Sequence, residues 1–293
     1  MASEMSAQMN EADWLAARLV EGMPVTHRRL DVAGVSTSLL EAGDGPPIVV
    51  LHGQGGFAEI MAPFIRMTAD RHRVVLPDLP GMGRSEITSG ALDGGRVTEW
   101  LAELIAKTCD QPPTLLGASL GGSVALRFAV AHSAELSRLV LVDSGSLGPF
   151  RPPPGLLFAL LRLVRNPDRR AIERLQRQIF RDADRVRAAA GERLHALEDY
   201  QLDRARQPSV NAANRTLLRQ VGTKQVPKEQ LRRVDVPVAL IWGRHDRVMP
   251  FRHAERASAA YGWPLYPIED AGHVPFVEQP KAFEAALRSS LEG

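Results

Sequence analysis

The chain of 293 residues is short of cysteine, of aromatic side chains and of long apolar runs, and each shortage excludes something. A single cysteine, Cys109, rules out an internal disulfide and any thiolate cluster for a metal. The chain therefore reads as a protein of a reducing compartment. Its longest apolar stretch, Gly155–Leu161, stops at Arg162 and is far too short to span a bilayer. Met1 to Glu21 carries Glu4, Glu11, Asp13 and Glu21 in place of the basic start and apolar run of an export signal, so a cytoplasmic location is expected. No histidine pair has metal-ligand spacing such as H-E-x-x-H, and no metal or cofactor is expected. A formal net charge of only +2 does not call for nucleic acid.

What is present is ordinary for a folded protein: 44% hydrophobic and 24% charged residues, enough for a sizeable core. Arg28–Val32 and Val35–Glu41 alternate apolar and polar around Ala33-Gly34, a hairpin signal. Continuous apolar runs follow: Ile48–Leu51, Arg73–Leu76, Thr114–Leu116, Leu139–Val142, Val238–Trp242 and the strand Leu265–Ile268. Such runs predict a buried parallel sheet, because both of its faces are covered. Helices are expected over Trp14–Val20, Glu59–Met67, Arg96–Thr108, Leu120–Ala131 and Phe251–Ala260. From Pro149 to Gly222 the strand signal stops. This stretch predicts three or four helices and holds 15 Arg, no Lys and 8 acidic residues, an excess near +7. The expected organisation is an α/β body over 1–148 and 223–293 with a helical cap inserted at 149–222.

The sharpest chemical signal is Gly117-Ala118-Ser119-Leu120-Gly121. The bare G-x-S-x-G pattern is weak, but here a strand precedes it and a helix follows, the context that exposes a nucleophilic serine on a strained turn. A serine hydroxyl needs a base, and the base needs an orienting acid. His273, in a loop after Leu265–Ile268, and Asp246, just past Val238–Trp242, follow in that order. Asp143 also ends a buried run and competes for the acid's role, although Asp246 has the better loop. His245 should point away when Asp246 faces the site. The glycine loop His52-Gly53-Gln54-Gly55-Gly56 directly follows a strand, and the backbone N–H groups of Gln54 and Leu120 are the candidate pair for an oxyanion.

These motifs carry a resemblance. Leu51–Gly56, Asp78-Leu79-Pro80-Gly81-Met82-Gly83-Arg84-Ser85, Gly117–Gly122, Trp242–Asp246 and Gly272-His273-Val274-Pro275, in that order, make the chain similar to α/β-hydrolase-fold enzymes. The likeness is to the capped serine-hydrolase branch that holds esterases and meta-cleavage-product C–C hydrolases, and it covers nearly everything from Arg28 onward. It implies an α/β-hydrolase fold with a mostly parallel central sheet flanked by helices and an inserted helical cap. It also implies a cofactor-free serine hydrolase using Ser119, His273 and Asp246. Ser119 stands where similar epoxide hydrolases and dehalogenases carry aspartate. Gly56 and Val274 stand where the C–C hydrolases usually carry Pro and Trp. The expected partner is a small molecule with an apolar acyl or aryl part, cleaved at an ester or related acyl bond; the alternatives are C–C cleavage, or a lyase or cyclase, on a diketone, and a non-catalytic receptor. Phe57, Met249 and Val274 are candidate lining residues. Leu156, Leu157, Leu160, Leu161 and Val164 recur at helical spacing, and that face should pack on the body or line the pocket. A homo-oligomer is left open.

Overall fold

The computed structural model describes residues 16–292. Residues 16–19 are helical, and the earlier part of the helix expected over Trp14–Val20 lies outside the described residues. The hairpin forms as expected. β1 (Thr26–Val32) and β2 (Val35–Ala42) pair antiparallel through Ala33 and Gly34, both at positive φ (45° and 71°), the backbone a two-residue hairpin turn requires.

The remaining strands are β3 (Pro47–Leu51), β4 (Arg73–Pro77), β5 (Glu86–Ile87), β6 (Thr114–Ala118), β7 (Arg138–Val142), β8 (Val238–Gly243) and β9 (Leu265–Ile268). They form one sheet in the order β1-β2-β4-β3-β6-β7-β8-β9, with β5 paired to β2. From β4 to β9 every pairing is parallel, while β2 meets β4 antiparallel.

The two-residue period of the strands divides the core into two layers. Val49, Leu51, Leu115, Leu139, Leu141, Leu240 and Trp242 join one buried cluster, with Val97, Trp100 and Leu104 of α2 (Gly94–Thr108) and Val124 and Phe128 of α3 (Leu120–His132). Their neighbours Ile48, Val50, Leu116, Val140, Val142 and Ile241 join the other, with Phe64 of α1 (Ala62–Thr68) and with Phe283 and Leu287 near the C-terminus. Continuous apolar runs are thus the record of a sheet covered on both sides. Each fully buried Val, Leu or Phe contributes about 1.5–3 kcal/mol.

Between β7 and β8 the chain is helical, as expected, but with five helices in place of three or four: α4 (Pro154–Arg165), α5 (Arg169–Ile179), α6 (Ala183–Ala190), α7 (Glu192–Arg206) and α8 (Pro208–Leu217). A π-helical turn, Leu218–Gly222, follows. The extra breaks have local causes. Asp168 and Asp182 cap α5 and α6 by accepting from Ala171 N and Arg185 N, Gly191 turns at φ 55°, and Pro208 opens α8. The chain leaves and returns to the sheet through one seam: Val226 N donates to Ser146 O (2.9 Å) and Ser146 Oγ to Val221 O (3.1 Å).

After a short α9 (Lys228–Leu231), α10 (Arg252–Tyr261) ends at left-handed Gly262. Then come α11 (Pro275–Glu278) and α12 (Pro280–Glu292), which sequence reading did not anticipate. In α12, Phe283, Leu287 and Ser290 at i, i+4 and i+7 form the buried stripe.

Candidate active site

The carboxyl ends of parallel strands converge on one edge, and in open α/β sheets ligand sites lie beyond that edge. Ser119 follows β6 at φ 52°, ψ −114°, a conformation that costs a non-glycine residue on the order of 1–3 kcal/mol. The turn closes only because its flanks lack side chains. A Cβ on Gly117 would lie 2.4 Å from Gly121 O, and one on Gly121 would lie 2.4 Å from Leu51 O.

The structure brings together the three residues singled out above. Ser119 Oγ donates to His273 Nε2 (2.9 Å), and His273 Nδ1 donates to Asp246 Oδ2 (2.8 Å). Asp246 is buried, and its other oxygen accepts from Val248 N (2.7 Å) and Met249 N (2.9 Å). Both oxygens of this carboxylate are therefore committed, which fixes the ring it faces. His245 is exposed, pointing away as expected.

Asp143 lies behind this relay. It is buried at φ 42°, and its Oδ1 accepts from Gly243 N (2.9 Å), the last residue of the neighbouring strand. Its Oδ2 is buried with no hydrogen-bond partner assigned among the described residues. Burial, and next the charge of Asp246, push the Asp143 carboxyl well above the usual carboxylate range. Ligand atoms of Asp143, Asp246 and His273 lie within 4.8 Å of one another. That grouping is the spacing of a cation site, but both Asp246 oxygens and His273 Nδ1 are already in hydrogen bonds, so the donor set fits a proton relay better than an ion.

The glycine loop sits opposite the serine. A Cβ on Gly53 would lie 3.2 Å from Ser119 Cβ. His52 beneath it is fully buried, with Nδ1 donating to Gly53 O (2.8 Å) and Nε2 accepting from Leu79 N (3.0 Å). Burial lowers its pKa, so the neutral ring holds the loop. Asp78 ties in the next turn by accepting from Ala58 N and Arg84 N. Arg84 itself pairs with buried Glu59, whose pKa burial pushes up to about 7 despite that cation. The N–H groups of Gln54 and Leu120 donate to no protein group among the described residues.

The helices between β7 and β8 reach this loop directly. Gly55 N donates to Asn214 Oδ1 (2.9 Å), and Arg204 Nη1 to Gly83 O (3.2 Å). Phe57 is buried against Tyr200, with ring centroids 4.1 Å apart. Met249 is buried beside Asp246, and Val274 is half-buried next to His273.

Sequence reasoning missed Glu278. Its Oε1 accepts from Gly272 N (2.9 Å) and Val274 N (3.3 Å), and its Oε2 from Arg181 N (2.6 Å). One buried carboxylate thus clamps both sides of His273, and His273 N donates to Ile179 O (2.8 Å). A polar surface groove of about 580 Å³ runs between residues 177–185 and Asp270, and contains none of Ser119, Asp246 and His273.

A model of the Alpha/beta hydrolase family matches residues 48–286, most of the chain. The chain belongs to the alpha/beta hydrolase family. Among members with assigned activities, it is 29% identical over 265 residues to the pimeloyl-[acyl-carrier protein] methyl ester esterase of Aeromonas salmonicida, covering 87% of this chain and 98% of that one. It is 27% identical over 277 residues to the 2-hydroxy-6-oxo-6-(2'-aminophenyl)hexa-2,4-dienoic acid hydrolase of Metapseudomonas resinovorans, covering 90% of each. Among solved structures, a membrane phospholipase A described as a bacterial virulence factor superposes with a TM-score of 0.80 at 26% identity, covering 100% of this chain and 94% of that one. As a hydrolase of this fold, the chain acts on a small-molecule substrate. No helix among the described residues is long and apolar enough to cross a membrane.

Proposed function

We propose that this alpha/beta hydrolase is a serine hydrolase that cleaves a carboxylic ester or related acyl compound. The observation that carries the reading is the unbroken relay from Ser119 Oγ through both ring nitrogens of His273 to Asp246. Ser119 attacks the carbonyl carbon while His273 Nε2 takes its proton. Asp246 steadies the resulting imidazolium. The N–H groups of Gln54 and Leu120 receive the negative oxygen, each contributing about 3–4 kcal/mol to the transition state. His273 then gives its proton to the departing alkoxide, and water, activated by the same ring, releases the acid. The balance is ester plus water to acid plus alcohol, with no further reagent. Residues 149–222 act as the cap, and Phe57, Met249 and Val274 are assigned to the edge of the acyl site.

Two relatives support the ester reading through the activity their names state, the methyl ester esterase and the phospholipase. The dienoic acid hydrolase supports a second reading, C–C cleavage of a vinylogous diketone by the same residues. Gly56 and Val274 depart from that branch's usual Pro and Trp, which favours the ester. Hydrolysis of 4-nitrophenyl esters of increasing acyl length, beside a diketone panel, tests the choice. Turnover of esters that disappears in Ser119→Ala supports the proposal. A diketone preferred by orders of magnitude replaces it with the second reading, and ester turnover that survives Ser119→Ala overturns both.

A further inference from the structure

α4 is apolar on two faces, and among the described residues only one of them is covered. Leu156 and Ala159 are buried towards the body. Yet Leu157, Phe158, Leu161 and Val164 are 47%, 58%, 61% and 56% exposed. At 100° per residue these four lie within one arc of roughly 120°, opposite the buried pair. The periodicity of the sequence predicted that Leu156, Leu157, Leu160, Leu161 and Val164 pack on the body or line the pocket; the structure turns three of these five, Leu157, Leu161 and Val164, outward. They are four of the five large hydrophobic side chains exposed among the described residues, so the face is a concentrated patch and not scattered surface.

Its surroundings say what covers it. Arg151, just before α4, and Arg165, at its end, are exposed, and so is Arg174 of α5. Arg151 and Arg165 enter no salt bridge among the described residues, and Arg174 lies over the Phe158 ring at 5.5 Å. Residues 149–222 carry the +7 excess on a chain whose total is +2. A second copy docking here would bring two arginine rims together, at a like-charge cost. A surface that is apolar at depth and anionic at its rim matches both features. We propose that α4 is a docking helix for an anionic lipid surface. It lies in the headgroup plane with Leu157, Phe158, Leu161 and Val164 dipped into the acyl boundary and the arginines on lipid phosphates. At 12 residues it is too short to span and suited to lie flat. The inference rests on this surface alone and holds whichever bond the active site cleaves.

The test is co-sedimentation of the full chain, carrying Ser119→Ala to prevent hydrolysis, with vesicles of phosphatidylcholine alone or mixed with phosphatidylglycerol. The expected result is partition onto the mixed vesicles that weakens with salt. Phe158→Ser with Leu161→Ser should lower it about tenfold or more, and Arg165→Gln about fivefold. Both substitutions are on the surface, and thermal melting verifies that the fold is kept. Equal partition onto neutral vesicles, or binding unmoved by the double substitution, overturns the proposal. So does a dimer in sedimentation velocity that the double substitution dissolves, since the face would then belong to a second copy.

Discussion

The ends of β7 and β8 make a natural comparison, because neighbouring parallel strands each deliver a buried aspartate to the same place. Asp246 has three hydrogen bonds to its carboxylate: two backbone N–H groups on Oδ1 and the His273 ring on Oδ2. Asp143 has one N–H, from Gly243, and a second oxygen with none. Burial is nearly equal at the two sites, so the supply of donors separates them. The tight turn after Asp246 aims Val248 N and Met249 N back at its carboxylate; the chain after Asp143 does not. One carboxylate is equipped to face an imidazolium, whereas burial and the charge of the first favour the protonated form of the other.

Exchanging charge at each position breaks or sharpens that contrast. The largest effect is expected at Asp246→Asn, which removes the acceptor for His273 Nδ1–H and should lower kcat by on the order of 10³–10⁴ with the fold intact; a loss under tenfold would transfer the acid's role to Asp143. Next is Glu278→Ala, which leaves three backbone N–H groups around His273 without their acceptor. It should cost about 1–3 kcal/mol in urea unfolding and also depress kcat.

Asp143→Asn, an imitation of the neutral acid, should keep kcat within about tenfold. Because the folded pKa of Asp143 is raised, its contribution to stability is full below the ordinary carboxylate range and is lost as pH rises. Melting curves should therefore show the Asn variant gaining on the wild type from acid to neutral pH; parallel curves would mean that Asp143 is charged.

The smallest effect is at Glu59→Gln. The folded pKa of about 7 lies above the ordinary glutamate value of 4.5, so the wild type's advantage is complete below about 4.5 and lost by the time pH has passed 7. A difference in melting temperature that does not change across that window would show that the Arg84 pair holds Glu59 charged.

The features read correctly from sequence share a physical character. Ile48–Leu51, Thr114–Leu116 and Val238–Trp242 announce themselves because a strand buried on both faces has no polar position to spare. Ser119, Asp246 and His273 could be singled out as candidates because each is bound to a turn of fixed composition, and the structure brings the three within hydrogen-bond distance. Glu278 had no such frame: a lone acid gives no sign that three N–H groups will converge on it. The five-helix count was hidden because Asp168, Asp182 and Gly191 resemble ordinary loop residues in an arginine-rich stretch. In α4 the pattern marked apolar positions correctly, but periodicity does not reveal which of two apolar faces finds a partner within the chain. The α12 stripe of Phe283 and Leu287 was in plain view at i, i+4 after Pro280, a standard helix opening.

The seam at Ser146 gives the helices between β7 and β8 a modular character. Because Ser146 bonds both Val221 and Val226, the points where the chain departs from the sheet and rejoins it are held side by side, and the intervening helices are, to the body, one closed loop. Loop-closure entropy grows only slowly with length, so the body is largely indifferent to how much chain is spliced there. The helices between β7 and β8 can thus be lengthened, shortened or exchanged as a unit at this seam while the sheet and its edge stay as they are.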